Sequence, residues 1–275
     1  MQALCTLTPS ESKRLIARAV TSMPEVVKAK EEGYLIVTRG STSAYIAEEL
    51  LGEIIEKEKY VAGQVIRGVL CALHAGIRSQ PIAFHKGKVL SVDPGTLIDK
   101  LGPDDIVIKG GNAVDCEGKV GVLMASPVGG TMGQFYMAMK VQGIKTIYPV
   151  GLEKLVPSVE EAARAGGRLK IERTIGAAVG LACLADGEAF TEIDALCSLF
   201  SVGVVHYASG GFGGAEGSVT IIVEGEPAEV NRCMDFIETI KGEPPLVALK
   251  GPCKTCGTLC SFQGKEEDEL PAYLR

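Results

Sequence analysis

Apolar positions in the first 165 residues fall into short continuous runs, separated by stretches in which they recur at helical spacing. The runs of strand length are Tyr34–Thr38, Asp105–Lys109, Gly121–Ala125 and Thr146–Val150. Between the first two, Ala44–Glu56 places its apolar residues on one helical face and its glutamates on the other. Strands that alternate with helices form crossover units, so the pattern predicts a parallel sheet.

Helix start and stop signals predict the other helices of this region. They are Lys13–Lys30 with a break near Pro24, a helix from the Gly129–Thr131 turn to about Gln142, and Ser158–Ala165 with Ser158 as its cap. Each apolar run is therefore followed by a turn and then by a helix, except where glycine-rich turns lead directly to the next run.

After Gly166 and Gly167 the order of elements changes. The predicted elements are a strand at Ala177–Leu184, a helix at Thr191–Phe200, strands at Val202–Ala208 and Ser218–Val223, a helix at Pro227–Lys241 and a strand at Leu246–Leu249. Strand–helix–strand occurring twice is the ferredoxin-like order. The predicted fold class is thus α/β, with a Rossmann-like, mostly parallel sheet domain followed by a smaller ferredoxin-like α+β domain.

These patterns divide the chain into four parts. We predict an N-terminal helical segment (1–32) packed on the first domain, a parallel α/β domain with anion-binding turns (33–166), a ferredoxin-like domain (168–250) and a cysteine-containing tail (251–275). The length of 275 residues agrees with more than one domain.

Composition narrows the classes of function. With 46% hydrophobic and 23% charged residues the chain is typical of a globular protein, and a net charge of −6 argues against general nucleic-acid binding. The absence of Trp disfavours base stacking. Apolar stretches such as Ile175–Leu184 are shorter than the roughly 20 residues that span a bilayer. We see no signal peptide and expect a cytoplasmic protein with no membrane or nucleic-acid partner.

The strongest chemical signal is the turn between the first strand and its helix. Its residues are Arg39, Gly40, Ser41, Thr42 and Ser43. Amides at a helix start lack partners and carry partial positive charge, so they attract anions, and the hydroxyls and the guanidinium add further donors. An ordinary Ser/Thr helix cap would use the same residue types.

Two more turns follow predicted strands and complete the set of candidate ligand-binding residues. They are Gly110, Gly111 and Asn112 after the second strand, and Gly129, Gly130 and Thr131 after the third. Ligands bind at the carboxyl ends of parallel strands, where all three turns are predicted to lie. The second of the two also has a plainer interpretation, a helix start packed tightly against a strand.

Lys109 is the leading candidate for a catalytic role because it ends a buried strand beside one of these turns. Opposite Arg39, it would favour an anion between the two cations. A lysine at this position also commonly reaches solvent without any function. Asp115 and Glu117 follow the turn and are candidate acid/base groups if the chain folds back towards the lysine.

Three stretches together resemble a known superfamily. The strand–Gly40-Ser-Thr-Ser43–helix unit resembles the sugar-phosphate turn of the superfamily that contains ribose phosphate isomerase, glucosamine phosphate deaminase, CoA transferases and sugar-regulator effector domains. Ile108–Ala113 resembles the I-K-G-G-G-A segment of ribose phosphate isomerase, and Pro149–Pro157 resembles the V-G-x-x-K-I-V-P segment of lactate-utilisation domains. The resemblance covers about residues 33–163. It implies a Rossmann-like fold, phosphate binding at the first turn and an active-site role for Lys109.

The chain also departs from these families. The isomerase carries an acidic D-G-A-D-E run before its lysine, whereas Ser91–Gly95 and Leu101–Asp105 do not match that run. We therefore do not transfer isomerase activity from the resemblance. No glutamate stands in a CoA-transferase frame, and the 32 residues before the first strand are too few for the helix-turn-helix domain of a repressor.

The nine cysteines are predicted to be reduced, since their number is odd and several, such as Cys71, lie inside apolar patterns. Cys253, Cys256 and Cys260 differ, because three thiols within eight residues have the reach to bind zinc or an iron–sulfur cluster. A fourth ligand could come from Cys5, from Cys233 or from a symmetry-related copy. A redox-active or merely accessible thiol pair is the alternative.

Two hypotheses about function follow. In the first, the chain binds a phosphorylated or other anionic small metabolite at the carboxyl ends of the strands, and as an enzyme it would catalyse isomerisation or proton transfer on a sugar phosphate. In the second, the same pocket serves a non-catalytic sensor or accessory subunit with a metal- or cluster-binding tail. The missing acidic run favours the second and the retained lysine turn favours the first. A homo-oligomer is expected in either case.

Overall fold

The computed structural model describes residues 1–275 as a mixed α/β protein with several sheets. The strands are β1 Gln2–Leu7, β2 Tyr34–Val37, β3 Gly63–Ile66, β4 Val69–Ala72, β5 Ile82–His85, β6 Lys88–Leu90, β7 Ile106–Ile108, β8 Ala113–Val114, β9 Val120–Met124, β10 Lys145–Pro149, β11 Gly180–Leu184, β12 Glu188–Phe190, β13 Gly203–Gly210 and β14 Ser218–Glu224. The α-helices are α1 Pro9–Ser22, α2 Pro24–Glu32, α3 Ser41–Leu51, α4 Gly130–Gln142, α5 Val159–Ala165, α6 Glu192–Leu199 and α7 Pro227–Glu238.

The largest sheet has six strands in the order β12-β10-β7-β2-β5-β6. Strands β12, β10, β7 and β2 are parallel, and the hairpin β5-β6 extends the β2 edge in the antiparallel sense. In register, Val37 of β2 pairs with Ile108 of β7, and Ile147 of β10 pairs with the same residue. The prediction of a mostly parallel sheet with short apolar strands is confirmed at this level.

The alternation of side chains across the sheet divides the core into two layers. Leu35 and Val37 enter the larger cluster of 32 buried residues, together with α1, α3 and α6, whereas Ile36 between them enters a smaller cluster beneath α4. Because both faces are covered, the strands are apolar at every position, as is usual for parallel strands.

Local capping signals explain where several helices begin. Thr8 and Glu11 form a capping box at the start of α1, and Pro24 begins α2 after a one-residue break. Ser158 caps α5 through the Glu161 amide, and Thr191 caps α6. The predicted break at Pro24 and the predicted Ser158 cap are confirmed.

The predicted ferredoxin-like arrangement is not confirmed. Strand β11 pairs with β9 in an antiparallel sheet of order β11-β9-β8, and β13 and β14 form another sheet with β1, in the order β1-β14-β13. Residues 246–249, predicted as a strand, form none. The sequence pattern identified most strands but not their partners, because pairing depends on contacts remote in sequence.

Several sheets cross the division predicted at residues 166–168. Strand β12 joins the main sheet beside β10, and β1, in a segment predicted to be helical, pairs with β14. The segment 121–125, predicted to lie in the parallel sheet, is β9 of the antiparallel sheet. No helix of the structure has the length and apolar character that a membrane crossing requires.

Candidate functional site

Four parallel neighbours bring their carboxyl ends to one edge of the main sheet, which we call the carboxyl edge. The segments that follow these strands are Thr38–Ser43 after β2, Lys109–Gly110 after β7, Val150–Lys154 after β10 and Thr191–Glu192 after β12. Each segment lies beside that of the next strand in the order β2, β7, β10, β12. The segments after β2 and β12, which are up to 154 residues apart in sequence, therefore lie at the two ends of this row. Most of the polar and ionisable residues of the candidate site lie at this edge.

The first turn of α3 is open to an acceptor. The Gly40 amide donates to the Tyr60 carbonyl at 2.9 Å, and the Ala44 amide begins the helical ladder on the Gly40 carbonyl. The amides of Ser41–Ser43 have no protein acceptor, and no side chain caps this helix. The Thr42 and Ser43 hydroxyls are buried without partners as well. An uncapped helix start of this kind is a general binding feature for anions.

Gly40 and Gly110 let this helix start approach the turn after β7. A Cβ on Gly40 would lie 3.2 Å from Ser43 Oγ and 4.0 Å from Gly110 Cα, and a Cβ on Gly110 would lie 3.6 Å from the same hydroxyl. The two turns predicted to share a site are thus in contact. A larger residue at either glycine would fill the space beside the Ser43 hydroxyl.

The side chain of Arg39 is held by hydrogen bonds within the protein. Its Nε donates to the Ser79 carbonyl at 2.6 Å and its Nη2 to Gln80 Oε1 at 3.0 Å. The guanidinium is half-buried, and burial lowers its pKa. Arg39 therefore fixes the 79–80 segment beside the turn and contributes charge at the carboxyl edge, with fewer donors left for a ligand than the sequence suggested.

Lys109 is buried at the end of β7, with 9% of its surface exposed. Its Nζ donates to the Gly110 carbonyl at 2.9 Å, and no carboxylate pairs with it. Burial lowers the pKa of Lys109 to about 8, and the charge of Lys154 adds to the shift. A lysine that loses its proton this readily can exchange protons near neutral pH or hold an anion that offsets its charge.

A second group of ionisable residues at the carboxyl edge was not predicted. Glu192, at the first position of α6, is fully buried; its Oε2 accepts from the Leu152 amide at 2.9 Å, while Oε1 has no partner. Burial raises the pKa of Glu192 to about 7, with Glu153 adding to the shift. The Ser12 hydroxyl also faces this carboxyl group without good hydrogen-bond geometry.

Glu153 links the turn after β10 to helix α1. Its Oε1 lies 3.4 Å from Lys13 Nζ and 3.6 Å from Lys154 Nζ, and its Oε2 is buried without a partner. Burial raises the pKa of Glu153, but Lys154 and Lys13 outweigh this and hold it below its ordinary value. The available signal was the position of Glu153-Lys154 just after a predicted strand, within the segment that resembles lactate-utilisation domains.

Unsatisfied polar atoms concentrate at this edge. Nine buried side-chain N or O atoms in the structure have no partner, and five of them belong to residues of the carboxyl edge or of α1 beside it. These five are the Ser12, Thr42 and Ser43 hydroxyls and one oxygen each of Glu153 and Glu192. Buried polar atoms are nearly always satisfied, so such a concentration indicates bound water or a ligand.

Asp115 and Glu117 have other surroundings. The buried Asp115 carboxylate accepts the amides of Glu117, Lys119 and Val159, which fixes the β8–β9 turn onto α5. Burial raises the pKa of Asp115, but these amides outweigh it and lower the value overall. The Glu117 side chain is largely exposed and pairs with Lys119. These contacts stabilise the β8–β9 turn, and neither carboxylate pairs with Lys109.

The remaining predicted turn residues have structural contacts too. Asn112 Oδ1 accepts the Leu123 amide, and a Cβ on Gly111 would lie 2.5 Å from Val120 Cγ1, so Gly111 permits close packing on β9. Gly129 and Gly130 take left-handed conformations at the start of α4, where Thr131 lies in the first turn. That turn follows β9, outside the parallel sheet, and so is separate from the carboxyl edge.

A cavity of about 400 Å³ lies at the opposite edge of the main sheet, near the starts of β10 and β12. Its charged lining residues are Lys140, Lys145, Asp186 and Glu188, which pair with one another or with Glu25. These ion pairs neutralise the cavity, and no carboxyl-edge residue lines it.

A fourth cysteine, Cys71, lies beside the three tail cysteines. Cys71 on β4 lines one apolar cavity together with Cys253, Cys256 and Cys260. Burial raises the pKa of the Cys71 thiol, and the three tail thiols raise it further, since all four face a common space. Cys5 and Cys233, considered as sources of a fourth ligand, are buried in the main core instead. The apolar pattern around Cys71 predicted a buried thiol and not its place beside the tail.

No protein-family model, curated protein or solved structure matches the chain significantly. The superfamily resemblance of residues 33–163 thus remains a prediction.

Proposed function

We propose that the chain binds a phosphorylated or otherwise anionic small metabolite at the carboxyl edge. The observation that carries this proposal is the first turn of α3, where three amides without protein acceptors adjoin the buried, unpartnered hydroxyls of Thr42 and Ser43. A phosphate has enough acceptor oxygens to satisfy these donors together, and the helix start favours its charge.

The charge balance of the edge supports an anionic ligand. Lys13, Lys109 and Lys154 contribute three ammonium groups, against the carboxylate of Glu153 and a Glu192 that is partly protonated at neutral pH. Lys109 is buried without a counter-ion, so an incoming anion would stabilise its charged form.

The chemistry that suits this edge is proton transfer on the bound metabolite. Glu192, with a pKa of about 7, can both accept and release a proton near neutral pH, and one of its oxygens has no partner in the protein. For Glu192 to act, a sugar phosphate held at α3 has to extend along the carboxyl edge from β2 towards β12, with the carbon beside its carbonyl group at the far end. Isomerisation between an aldose and a ketose phosphate is the reaction class we propose.

Binding is tested by calorimetry and thermal shift with inorganic phosphate and ribose 5-phosphate. Two variants target the site: Gly40→Val fills the space beside Ser43 Oγ in an extended backbone that accepts Val, and Lys109→Met removes the buried charge. We expect each to weaken binding by at least about tenfold, the equivalent of one charge-assisted contact. Lys28→Met removes an exposed lysine of α2 and is the matched control.

The proposal fails if phosphate and ribose 5-phosphate neither bind nor stabilise the protein. It also fails if both site variants bind as well as the control.

A non-catalytic sensor or accessory subunit is the second candidate. It is favoured by the surroundings of Asp115, whose carboxylate is held by three backbone amides and cannot replace the acidic run of the isomerase. Exchange of substrate hydrogen with deuterated solvent, followed by NMR, separates the two candidates. An enzyme shows exchange that Glu192→Gln abolishes without loss of binding, whereas a sensor binds the sugar phosphate and shows no exchange.

A further inference from the structure

The four thiols of the apolar cavity lie on segments far apart in sequence. Cys71 belongs to the hairpin β3-β4, while Cys253, Cys256 and Cys260 belong to the tail. The cavity has a volume of about 20 Å³, room for about one water molecule, and its lining is otherwise mostly apolar. Four thiols that line one mostly apolar space are unusual for cysteines with a packing role only.

A short segment of chain holds the two sides of the cavity together. The Ala177 amide donates to the Leu70 carbonyl at 2.9 Å, and the Ala178 amide donates to the Leu259 carbonyl at 3.2 Å. The neighbours of Cys71 and Cys260 are thus attached to successive residues of one strand-like segment. This segment fixes the distance between the hairpin and the tail.

The tail has too small a core to hold this position alone. Its cluster has only four buried residues, Val69, Phe262, Leu270 and Leu274, with Cys253 and Cys260 packed against it. Small folding units with so little apolar core are generally stabilised by disulfides or by a metal. All nine cysteines are free thiols, so no disulfide does this here.

One backbone amide donates to a tail thiol, and a lysine that is paired with Glu267 lies beside the cavity. The Phe262 amide donates to Cys260 Sγ at 3.4 Å, and the Gly264 and Cys256 amides both donate to the Cys253 carbonyl, which closes a tight turn around the first tail thiol. Lys250 also lines the cavity. Amide donors to sulfur and a nearby positive charge stabilise bound thiolates and tune metal centres.

We propose that Cys71, Cys253, Cys256 and Cys260 bind one thiolate-ligated metal centre, an iron–sulfur cluster or a zinc ion. Each thiol releases its proton to solvent on binding, so four protons are released for one preformed cluster or one zinc ion. This site is independent of the anion-binding function proposed above.

The spread of the thiols favours the cluster. A single zinc ion with sulfur ligands at about 2.3 Å requires them to converge on one point. No three Cys, His, Asp or Glu side chains converge in this way in the structure. In a [4Fe–4S] cluster each of the four thiolates binds a different iron, so the thiols can surround a wider centre. The 20 Å³ cavity is smaller than a cluster, so the proposal requires the tail to move outward from its four-residue core when the cluster binds.

The test uses the full chain purified without oxygen, with iron, acid-labile sulfide and zinc measured per chain and the visible spectrum recorded. Cys71→Ser and Cys260→Ser are compared with Cys116→Ser, which removes an exposed thiol remote from the cavity. We expect one centre per chain in the parent and in Cys116→Ser, and a loss of more than about tenfold in the other two. Iron with sulfide and broad absorption near 400 nm identifies the cluster, and zinc in a colourless protein identifies the ion.

Thiol alkylation of the parent chain provides a result that does not depend on how the variants fold. Mass spectrometry should show Cys71 and the three tail cysteines protected until a chelator is added, with Cys116 reactive throughout. The proposal is overturned if the chain stays metal-free after reconstitution with zinc and with iron and sulfide. It is equally overturned by a Cys253–Cys256 disulfide in the anaerobic protein or by a fully loaded Cys71→Ser variant.

Discussion

Glu192 Oε2 accepts a 2.9 Å hydrogen bond from the backbone amide of Leu152, and this contact joins the first turn of α6 to the segment that follows β10. The other oxygen of the same carboxyl group is buried without a partner. A group in these surroundings is stabilised when protonated, and burial accordingly raises the pKa of Glu192 to about 7.

The raised pKa predicts that Glu192 lowers stability at alkaline pH. Between pH 4.5 and 7 the folded state retains a proton that the unfolded state has released, so the free energy of unfolding falls as pH rises through this window. Glu192→Gln keeps an acceptor for Leu152 and cannot ionise. We expect it to be more stable than the parent by roughly 3 kcal/mol at pH 8 and equal to it at pH 4.5.

Urea denaturation of both proteins at several pH values measures this difference, with Glu32→Gln on the exposed end of α2 as the control. Glu153 does not interfere, since its pKa is lowered and its contribution changes only below pH 4.5. A constant difference between Glu192→Gln and the parent across pH 4.5–8 would show that Glu192 ionises normally.

Lys109 should also lower stability, in a different range of pH. Its pKa of about 8 in the folded state is below its ordinary value of 10.5, so the unfolded state binds more protons between these values. Stability therefore rises with pH from 8 to 10.5. Lys109→Met should gain roughly 2 kcal/mol at pH 7, after loss of the hydrogen bond to the Gly110 carbonyl, and this gain should vanish above pH 10.

Thermal unfolding without phosphate measures this difference in stability, and thermal unfolding with phosphate measures how much of the binding depends on Lys109. The parent should be less stable alone but gain stability with phosphate, whereas Lys109→Met should start higher and respond little. A variant that is less stable than the parent at pH 7 would mean that the buried ammonium already has a partner.

The sequence predicted local features well because their causes are local. Pro24 and Ser158 each act within one helical turn, so the break at Pro24 and the start of α5 could be predicted. Helix α1 begins at Pro9, four residues before its predicted start at Lys13. The strand that contains Val37 could be recognised from its apolar run and its carboxyl end from the glycine that follows. These features also located the turn that begins α3.

The rest depended on partners that no local pattern specifies. The start of α6 was predicted at Thr191, but the burial of Glu192 results from β12 joining the main sheet beside β10. The position of Cys71 beside the tail likewise could not be predicted, because it results from the segment around Ala177, which attaches the tail to β4. Both sites are formed by chain segments more than 35 residues apart, where hydrophobic periodicity carries no information about pairing.

Arg14 is predicted to be the most important ion-pairing residue of the main core. It donates to Glu48, Glu49 and Glu243, which join α1, α3 and the segment after α7, and its guanidinium lies over the Tyr45 ring. Burial lowers the pKa of Arg14, but these carboxylates outweigh it and raise the value overall.

Arg14→Met should cost roughly 3–5 kcal/mol, because it leaves Glu243 without a counter-ion, whereas Glu48 keeps Lys57 and Glu49 keeps Arg18. Glu49→Gln is the matched control: its partner keeps the other two carboxylates, and we expect a cost of less than about 1 kcal/mol. Urea denaturation at pH 7 measures both. Equal costs for the two variants would indicate that Glu243 does not depend on Arg14.

Gly176 is predicted to control the attachment of the tail. Its φ of +105° is a conformation that other residues rarely adopt, and a Cβ there would lie 2.5 Å from the Leu70 carbonyl oxygen. Gly176→Ala therefore has to break the contact between this segment and β4. The strain is on the order of 1–3 kcal/mol and acts on a tail with a four-residue core, so the tail should detach while the main sheet stays folded.

Limited trypsin digestion at Lys250 and Lys254 measures this detachment, since both lysines pair with tail glutamates in the folded state. Gly257→Ala is the control, as a Cβ there meets no atom within 4 Å. We expect cleavage of Gly176→Ala to be faster by about tenfold or more, which corresponds to at least about 1.4 kcal/mol of local opening, with no change in the main thermal transition. If both alanine variants were cleaved at the parent rate, the tail would be held by its own contacts and not through Gly176. Cooperative loss of the whole fold in Gly176→Ala would instead mean that the tail and the main sheet unfold as one unit.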